Sequence, residues 1–179
     1  AVLGANDGLI SVASLIVGVA SAAQPSSVIL LTGFSALAAG ALSMAAGEYV
    51  SVASQADIEE ADLEMEKEAL RTNPEGELHE LAAIYEDRGL KPELAMEVAV
   101  ALTEHDALEA HTRDELGIVD VHKARPVQAA LASAASFVAG GVLPMLAALF
   151  SPAGLASQVV GASTLLGLVI IGYLSAKAG

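Results

Sequence analysis

Two long stretches of this sequence carry no charged side chain: residues 8–47 and residues 126–176 contain no Asp, Glu, Lys or Arg. A water-exposed domain cannot leave such stretches uncovered, whereas a lipid bilayer requires them. The charges are concentrated between the stretches, since 20 of the 22 Asp and Glu residues lie between Asp57 and Asp120. The distribution therefore predicts an integral membrane protein with an acidic polar insert.

The same composition excludes several classes of protein. A soluble enzyme or a disordered chain does not fit a sequence that is 54% hydrophobic and only 17% charged. A net charge of −14 would repel phosphates, so no nucleic-acid partner is expected. Cysteine is absent, which removes disulfides and metal–thiolate sites. The sequence has no zinc-protease pair, phosphate-binding glycine loop or nucleophile elbow, so we do not expect an enzyme.

The two apolar stretches are long enough for four membrane-spanning helices. The first pair is predicted at about Val2–Ala23 and Val28–Ala53, and the second pair at Val127–Phe150 and Ala153–Ala176. Each can cross a hydrocarbon core of ~30 Å. The predicted fold is an all-α helical transmembrane bundle with a helical insert. Its segments are residues 1–54 with spans one and two, residues 55–125 with the insert, and residues 126–179 with spans three and four.

The insert is predicted to fold as three helices. The first continues out of span two, because Tyr49–Thr72 contains no Gly or Pro. Asn73-Pro74 stops it and begins the second, since Asn caps helix N-termini and Pro suits the first helical position. The second ends at Arg88-Gly89 and the third covers Pro92–Leu116.

Basic residues indicate the orientation of the chain. Seven of the eight lie between Lys67 and Arg125, and Lys123 and Arg125 adjoin span three. Because Lys and Arg favour the cytoplasmic side, the insert is expected in the cytoplasm.

Asp7 and Glu48 are acidic residues in otherwise apolar helices. A charge in a bilayer costs a few kcal/mol unless it is paired or hydrated, so both are candidates for a transport pathway. Met44 lies four residues before Glu48 and shares its helix face. The alternative is that the carboxylates are interfacial and hydrated and that Met44 serves only packing.

The insert carries carboxylates on all three of its predicted helices. Packed together, like charges at that density disfavour the metal-free fold unless a cation neutralises them, and divalent cations are the natural counter-ions. The alternative is a solvated acidic surface. The candidate metal ligands are Glu64, Glu66 and Glu68 on the first helix, Glu77 and Glu80 on the second, and His111 and Glu115 on the third.

Five short motifs and a Glu-rich first insert helix follow one another along the chain. The motifs are Asn6-Asp7-Gly8-Leu9-Ile10, Gly40-Ala41-Leu42-Ser43-Met44-Ala45-Ala46-Gly47-Glu48-Tyr49, Asn73-Pro74-Glu75-Gly76-Glu77, Gly89-Leu90 and Asp114-Glu115-Leu116-Gly117. In this order, and over essentially the whole chain, they resemble the vacuolar iron transporter family. The resemblance implies a homodimer of five-span protomers that exports Fe²⁺, and often Mn²⁺, from the cytoplasm in exchange for protons. It also implies a cytoplasmic three-helix metal-binding domain between spans two and three. We expect the fifth span beyond Gly179.

The resemblance also implies roles for single residues. Asp7 and Met44 match the carboxylate and the thioether of the family's translocation pathway. The residues that match the metal-binding carboxylates of the insert are Glu66, Glu77, Glu80 and Glu115.

Two positions depart from the family pattern. Ala69 stands where the family has a second ligand on the first insert helix, so Glu68 or Glu64 would have to substitute for it. His111-Thr112 falls near the family's methionine pair, so His111 replaces a soft ligand by a borderline one.

The sequence thus predicts a proton-coupled exporter of Fe²⁺ and Mn²⁺, with Zn²⁺ and Co²⁺ as further candidate ions. The membrane would be the inner or plasma membrane in a bacterium and the vacuolar membrane in a eukaryote. The alternatives are a membrane-anchored metal sensor or storage module and a passive divalent-cation channel. An anchor would need neither Asp7 nor the Met44–Glu48 face, which favours transport.

Overall fold

The structure, a computed structural model, describes residues 2–118 and 124–178, and these residues form α-helices and no strand. The predicted all-α class is confirmed. Lys123, which entered the prediction of orientation, lies outside the described residues. The helices are α1 (Val2–Ser21), α2 (Ser26–Thr72), α3 (Pro74–Asp87), α4 (Pro92–Asp114), α5 (Pro126–Leu149) and α6 (Ala156–Ala178).

Four of these helices, α1, α2, α5 and α6, are long and apolar enough to cross a membrane, which confirms the four predicted spans. The first ends at Ser21 rather than Ala23, because Ala23 has a φ of 54°, a left-handed conformation that does not continue a helix. The predicted continuity of span two with the first insert helix is also confirmed, since α2 has 47 residues. At about 70 Å it exceeds a bilayer core more than twofold, so we take its apolar part, up to about Ala53, as the span.

The chain divides into two compact units, which we call the membrane unit (Ala1–Val52 with Arg125–Gly179) and the insert (Ala53–Ala124). In the membrane unit, α1 packs against α5 and α6, and α5 packs against α6. Large apolar side chains on its outer surface remain exposed, as a bilayer allows. Its buried core consists of Val12, Ala13, Ile16, Ile29, Phe137 and Val160.

Glycines set the close contact of α1 with α5. A Cβ atom on Gly8 would collide with the carbonyl oxygen of Phe137, and one on Gly140 would collide with the carbonyl oxygen of Ala5. The two backbones therefore approach to a distance that only glycine permits. Small residues at helix contacts are the usual means of packing helices in membranes.

In the insert, α3 packs against α4 around a small core of Leu81, Ala82, Ala99 and Ala110. The predicted start of α3 is confirmed, because the Asn73 side chain accepts a hydrogen bond of 3.2 Å from the Gly76 amide. The predicted end is confirmed as well, since Gly89 has a φ of 100° just beyond the last turn. The caps therefore set the two ends of α3, and the shared apolar core holds α3 against α4.

The prediction of one continuous third insert helix is wrong. Asp106, in the middle of α4, has φ −161° and ψ 99°, which is not helical. Its side-chain oxygen accepts a hydrogen bond of 2.9 Å from the Glu109 amide. Asp side chains compete in this way with helix propagation and instead start a new helix. Asp106 therefore divides α4 into a first half, 92–105, and a second half, 107–114.

Candidate metal centre

Four side chains converge inside the insert, and we call them the insert cluster: Glu66, Glu77, His111 and Glu115. One possible donor atom from each lies within 4.8 Å of the other three. Nδ1 of His111 lies 2.8 Å from a Glu115 oxygen, 3.1 Å from a Glu66 oxygen and 4.0 Å from a Glu77 oxygen. An ion with bonds of about 2.1 Å holds its donors up to about 4.2 Å apart. Small side-chain shifts would therefore let all four residues bind one ion.

Three different helices supply these donors. Glu66 comes from the last part of α2 and Glu77 from the first turns of α3, whose start is fixed by the Asn73 cap. His111 and Glu115 are four residues apart at the end of α4, so they lie on the same face of that helix. The cluster thus depends on the packing of the insert as a whole.

Three of the four side chains in the cluster are buried, and Glu115 is exposed. The His111 side chain is fully buried and Glu66 is only 5% exposed. This burial raises the pKa of the Glu66 carboxyl, and the nearby charge of Glu115 raises it further, while His111 opposes the shift. Charges of Glu77 and Glu80 add to the rise. The metal-free cluster is therefore electrostatically unfavourable, and a cation would relieve it.

Two buried polar atoms of the cluster lack a hydrogen-bond partner among the described residues: Oε1 of Glu66 and Nε2 of His111. Nδ1 of His111 carries at most one hydrogen and pairs with Glu115, so the Glu66 oxygen beside it stays unsatisfied. Buried polar atoms without partners are costly and call for a ligand or a function. Three carboxylates with one imidazole form a donor set that suits Fe²⁺, Mn²⁺ and Zn²⁺.

The remaining predicted ligands lie outside this cluster. Glu64 pairs with Lys67 at 2.6 Å and Glu68 pairs with Arg71 at 2.6 Å, and all four side chains are at least half exposed. Positions two residues before and after Glu66 are turned about 200° from it around the helix axis, so they cannot share its face. Glu80 is exposed and contributes charge, but no donor atom, to the cluster.

In the membrane unit, Met44 and Glu48 line one cavity of about 260 Å³. Met44 is half-buried and Glu48 is exposed. Asp7 is exposed and is not among the residues that line the cavity. The structure thus places two of the three predicted pathway residues at one cavity, while Asp7 lies on α1 one turn after Gly4, which also lines it. The other lining residues are Leu3, Gly4, Ala129, Ala132, Ser133 and Ser136.

Sequence reasoning missed several polar residues of both units. Nothing in the sequence marked Ser133 and Ser136, because serine is common throughout the spans. Asp106 could have been found, since Asp followed three residues later by Glu109 is a capping-box pattern.

The sequence showed Asp114 only as part of a family motif, and its structural role was missed because two of its partners, Tyr85 and Arg88, are distant in sequence. It accepts hydrogen bonds from Tyr85 at 2.8 Å, Arg88 at 2.7 Å and Arg113 at 3.0 Å. Burial alone would raise the pKa of Asp114, but these hydrogen bonds outweigh it and lower the pKa to about 2. Asp114 therefore stays ionised and ties the end of α4 to the end of α3.

Comparison with known proteins agrees with this architecture. The family model described as the VIT family matches residues 1–179. A vacuolar iron transporter of Acanthamoeba castellanii is 50% identical over 84% of this chain, which covers 55% of that protein's length. Vacuolar iron transporter 1 of Oryza sativa subsp. japonica is 33% identical over 98% of the chain, which covers 71% of its length. Vacuolar iron transporter homolog 4 of Arabidopsis thaliana is 36% identical over the whole chain, which covers 67% of its length.

The family resemblance found in the sequence motifs is confirmed by these matches. The alignments with the two plant proteins cover 98% and 100% of the chain, and so include residues of both units. The chain spans about half the length of the Acanthamoeba protein and about two thirds of the plant proteins. With four apolar helices and a family match along its entire length, this integral membrane protein belongs to the VIT family.

Proposed function

We propose that this protein transports a divalent transition metal across a membrane, with Fe²⁺ as its principal substrate and Mn²⁺ as a second. The insert cluster is the observation that carries the proposal, because it combines a buried donor set with unsatisfied atoms in a family whose named members are iron transporters. Zn²⁺ and Co²⁺ suit the same donor set and are further candidate substrates.

The insert collects the metal in this proposal. Residues 55–125 form the cytoplasmic metal-binding domain, and residues 1–54 and 126–179 form the transmembrane part. The cytoplasmic orientation is supported by the basic residues at the end of the insert, which favour that side of a membrane. The membrane is the inner or plasma membrane in a bacterial cell and the vacuolar membrane in a eukaryotic one.

The membrane unit provides the pathway in this proposal. Glu48 and Met44 share one cavity, so a carboxylate and a thioether can act on the same ion. Asp7 is exposed on its helix, and a charged side chain in a bilayer needs a partner or water. A second copy of the chain, as in a homodimer, would provide such a surrounding.

Export is coupled to protons in this proposal because the same carboxylates bind both. Metal binding requires deprotonated ligands, so an arriving ion releases protons and a returning proton displaces the ion. A proton gradient across the membrane can therefore drive the metal in one direction.

The test is metal uptake by the full-length protein in sealed vesicles that contain a metal-sensitive dye. We expect Fe²⁺ uptake that is accelerated severalfold by a pH gradient and loses that acceleration when a protonophore collapses the gradient. Vesicles without protein provide the control. Uptake that does not respond to the gradient would indicate a passive channel. Metal binding without uptake would indicate a sensor or storage module.

A further inference from the structure

Helix α4 turns back on itself inside the insert. It begins at Pro92, four residues after Arg88, yet Asp114 at its other end accepts hydrogen bonds from Arg88 at 2.7 Å and Tyr85 at 2.8 Å. An unbroken helix of this length would place Asp114 about 33 Å from Pro92. Both ends of α4 therefore lie near the end of α3, and the reversal occurs at Asp106, where the backbone is not helical.

The insert cluster exists only because of this reversal. Along a straight α4, His111 would lie about 28 Å from Pro92, whereas Glu77 lies about 15 Å from the end of α3. A straight helix would therefore carry His111 more than about 10 Å past Glu77. In the structure a His111 nitrogen is instead 4.0 Å from a Glu77 oxygen.

The Asp106 side chain begins the returning half of α4. It accepts a hydrogen bond of 2.9 Å from the Glu109 amide, which would otherwise have no partner at a helix start. Asp106 supplies no atom to the insert cluster. We propose that Asp106 is a positioning residue of the metal centre: its cap holds the reversal that brings His111 and Glu115 to Glu66 and Glu77.

The position of His111 can be tested without any metal. The sequence has no cysteine, so a single introduced cysteine reports on its own surroundings. His111→Cys places the reporter after the reversal, and Ala99→Cys places a matched reporter before it; both parent side chains are fully buried. The measurement is the rate of labelling by a thiol reagent in the full-length protein.

Three substitutions at Asp106 separate its cap from its charge. Asp106→Asn keeps the cap and removes the charge, Asp106→Glu keeps the charge and loses the cap, and Asp106→Ala loses both. We expect Asp106→Glu and Asp106→Ala to accelerate the labelling of a cysteine at position 111 about fivefold. The labelling rate at position 99 should change by less than about twofold, because a lost cap loosens only the helix that it starts. Asp106→Asn should leave both labelling rates unchanged.

Three results would overturn the proposal. Equal acceleration at positions 99 and 111 would make Asp106 a residue of general stability. If neither Asp106→Ala nor Asp106→Glu changed the labelling rate at position 111, the cap would not hold the reversal. The same would follow if Asp106→Asn changed that rate as much as Asp106→Ala does.

A second readout links the reversal to metal binding and rests on the proposed function. Cu²⁺ bound to the full-length protein serves as the probe, and pulsed EPR detects the nitrogen of a coordinated imidazole. We expect a signal that His111→Leu removes, that Asp106→Asn preserves and that Asp106→Glu weakens at limiting Cu²⁺. Absence of bound metal in the unsubstituted protein would overturn the metal centre itself, and the labelling rates would still decide whether Asp106 holds the turn.

Discussion

The insert and the membrane unit present their candidate ligands in opposite ways. The insert cluster is assembled from three helices, with donors within 4.8 Å of one another and two of its side chains almost fully buried. In the membrane unit, Asp7 and Glu48 are exposed and only Met44 and Glu48 share a cavity. Within the described residues of one chain, the four ligands of the insert cluster meet, whereas the membrane carboxylates Asp7 and Glu48 are both exposed.

This difference fits two different tasks. Buried donors in an interior of low dielectric constant interact strongly with an ion, which suits the capture of metal from dilute solution. Exposed or partly solvated donors hold an ion less tightly, and a pathway must release what it binds. Under the proposed function, metal binding by the insert and metal passage through the membrane unit should therefore be separable by substitution, and the predictions below test this comparison of the two units.

The largest effect is expected for Asp7→Ala. Transport in vesicles should fall to the level of protein-free vesicles, because the proposed pathway loses one of its two carboxylates. Metal binding by the insert cluster should be unchanged, since Asp7 belongs to the other unit. Asp57→Ala, which removes an exposed carboxylate outside both sites, serves as the control and should transport normally. Normal transport by Asp7→Ala would remove Asp7 from the pathway.

The next effect is expected for Glu77→Gln, which removes one charged donor of the insert cluster. Affinity for Mn²⁺ or Fe²⁺ should fall by roughly tenfold or more, because a neutral amide replaces a buried carboxylate. The matched control is Glu64→Gln, which makes the same chemical change at an exposed residue paired with Lys67. We expect that control to bind within about twofold of the unsubstituted protein in isothermal titration. Equal losses in both variants would reduce the cluster to part of a general acidic surface.

A smaller effect is expected for Met44→Leu, which changes a candidate ligand of the membrane unit. Leucine keeps the volume and the helix propensity but removes the sulfur, so packing and protein level should be preserved. A thioether favours transition metals over Mg²⁺ and Ca²⁺, so Fe²⁺ transport should fall severalfold in the vesicle assay. Metal binding by the insert should not change. Transport at the unsubstituted rate would assign Met44 to packing alone.

The smallest effect is expected for Glu66→Gln without metal. Burial and neighbouring carboxylates disfavour the ionised Glu66 side chain, as the raised pKa shows, so its neutralisation should stabilise the metal-free protein by about 1 kcal/mol. The thermal midpoint should rise by about 2–4 °C. The same variant should lose most of the stabilisation that added metal gives the unsubstituted protein. A lower midpoint without metal would show that Glu66 is structural.

The sequence supports prediction wherever the relevant signal is local. The spans are marked by uninterrupted stretches without charge, and the ends of α3 are marked by Asn73 and Gly89. Each of these signals lies within the segment that it describes, and the structure confirms each of them. The break at Asp106 was also encoded locally, by its spacing from Glu109. That signal was outweighed by the apolar residues Leu94, Val98, Leu102 and Leu108, whose helical spacing continues past Asp106.

The selection of ligands is a different kind of problem. Seven residues of the insert were candidates from the sequence, and four of them converge in the structure. Glu64 and Glu66 lie on the same helix but point about 200° apart around its axis, and which of the two faces α3 and α4 depends on how three helices pack. Composition cannot distinguish them, since both are glutamates in the same acidic run.

The sequence by itself determined the class of the protein, its spans, its acidic insert and its family, because hydrophobicity, charge and motifs are properties of the chain alone. Only the tertiary structure decided which carboxylates meet. Helix packing turned Glu66 inward and left Glu64 in solvent, and the reversal at Asp106 returned His111 to Glu77. The physical reason is that a binding site is defined by distances of a few ångströms between residues far apart in the chain, and the packing of all three helices sets those distances.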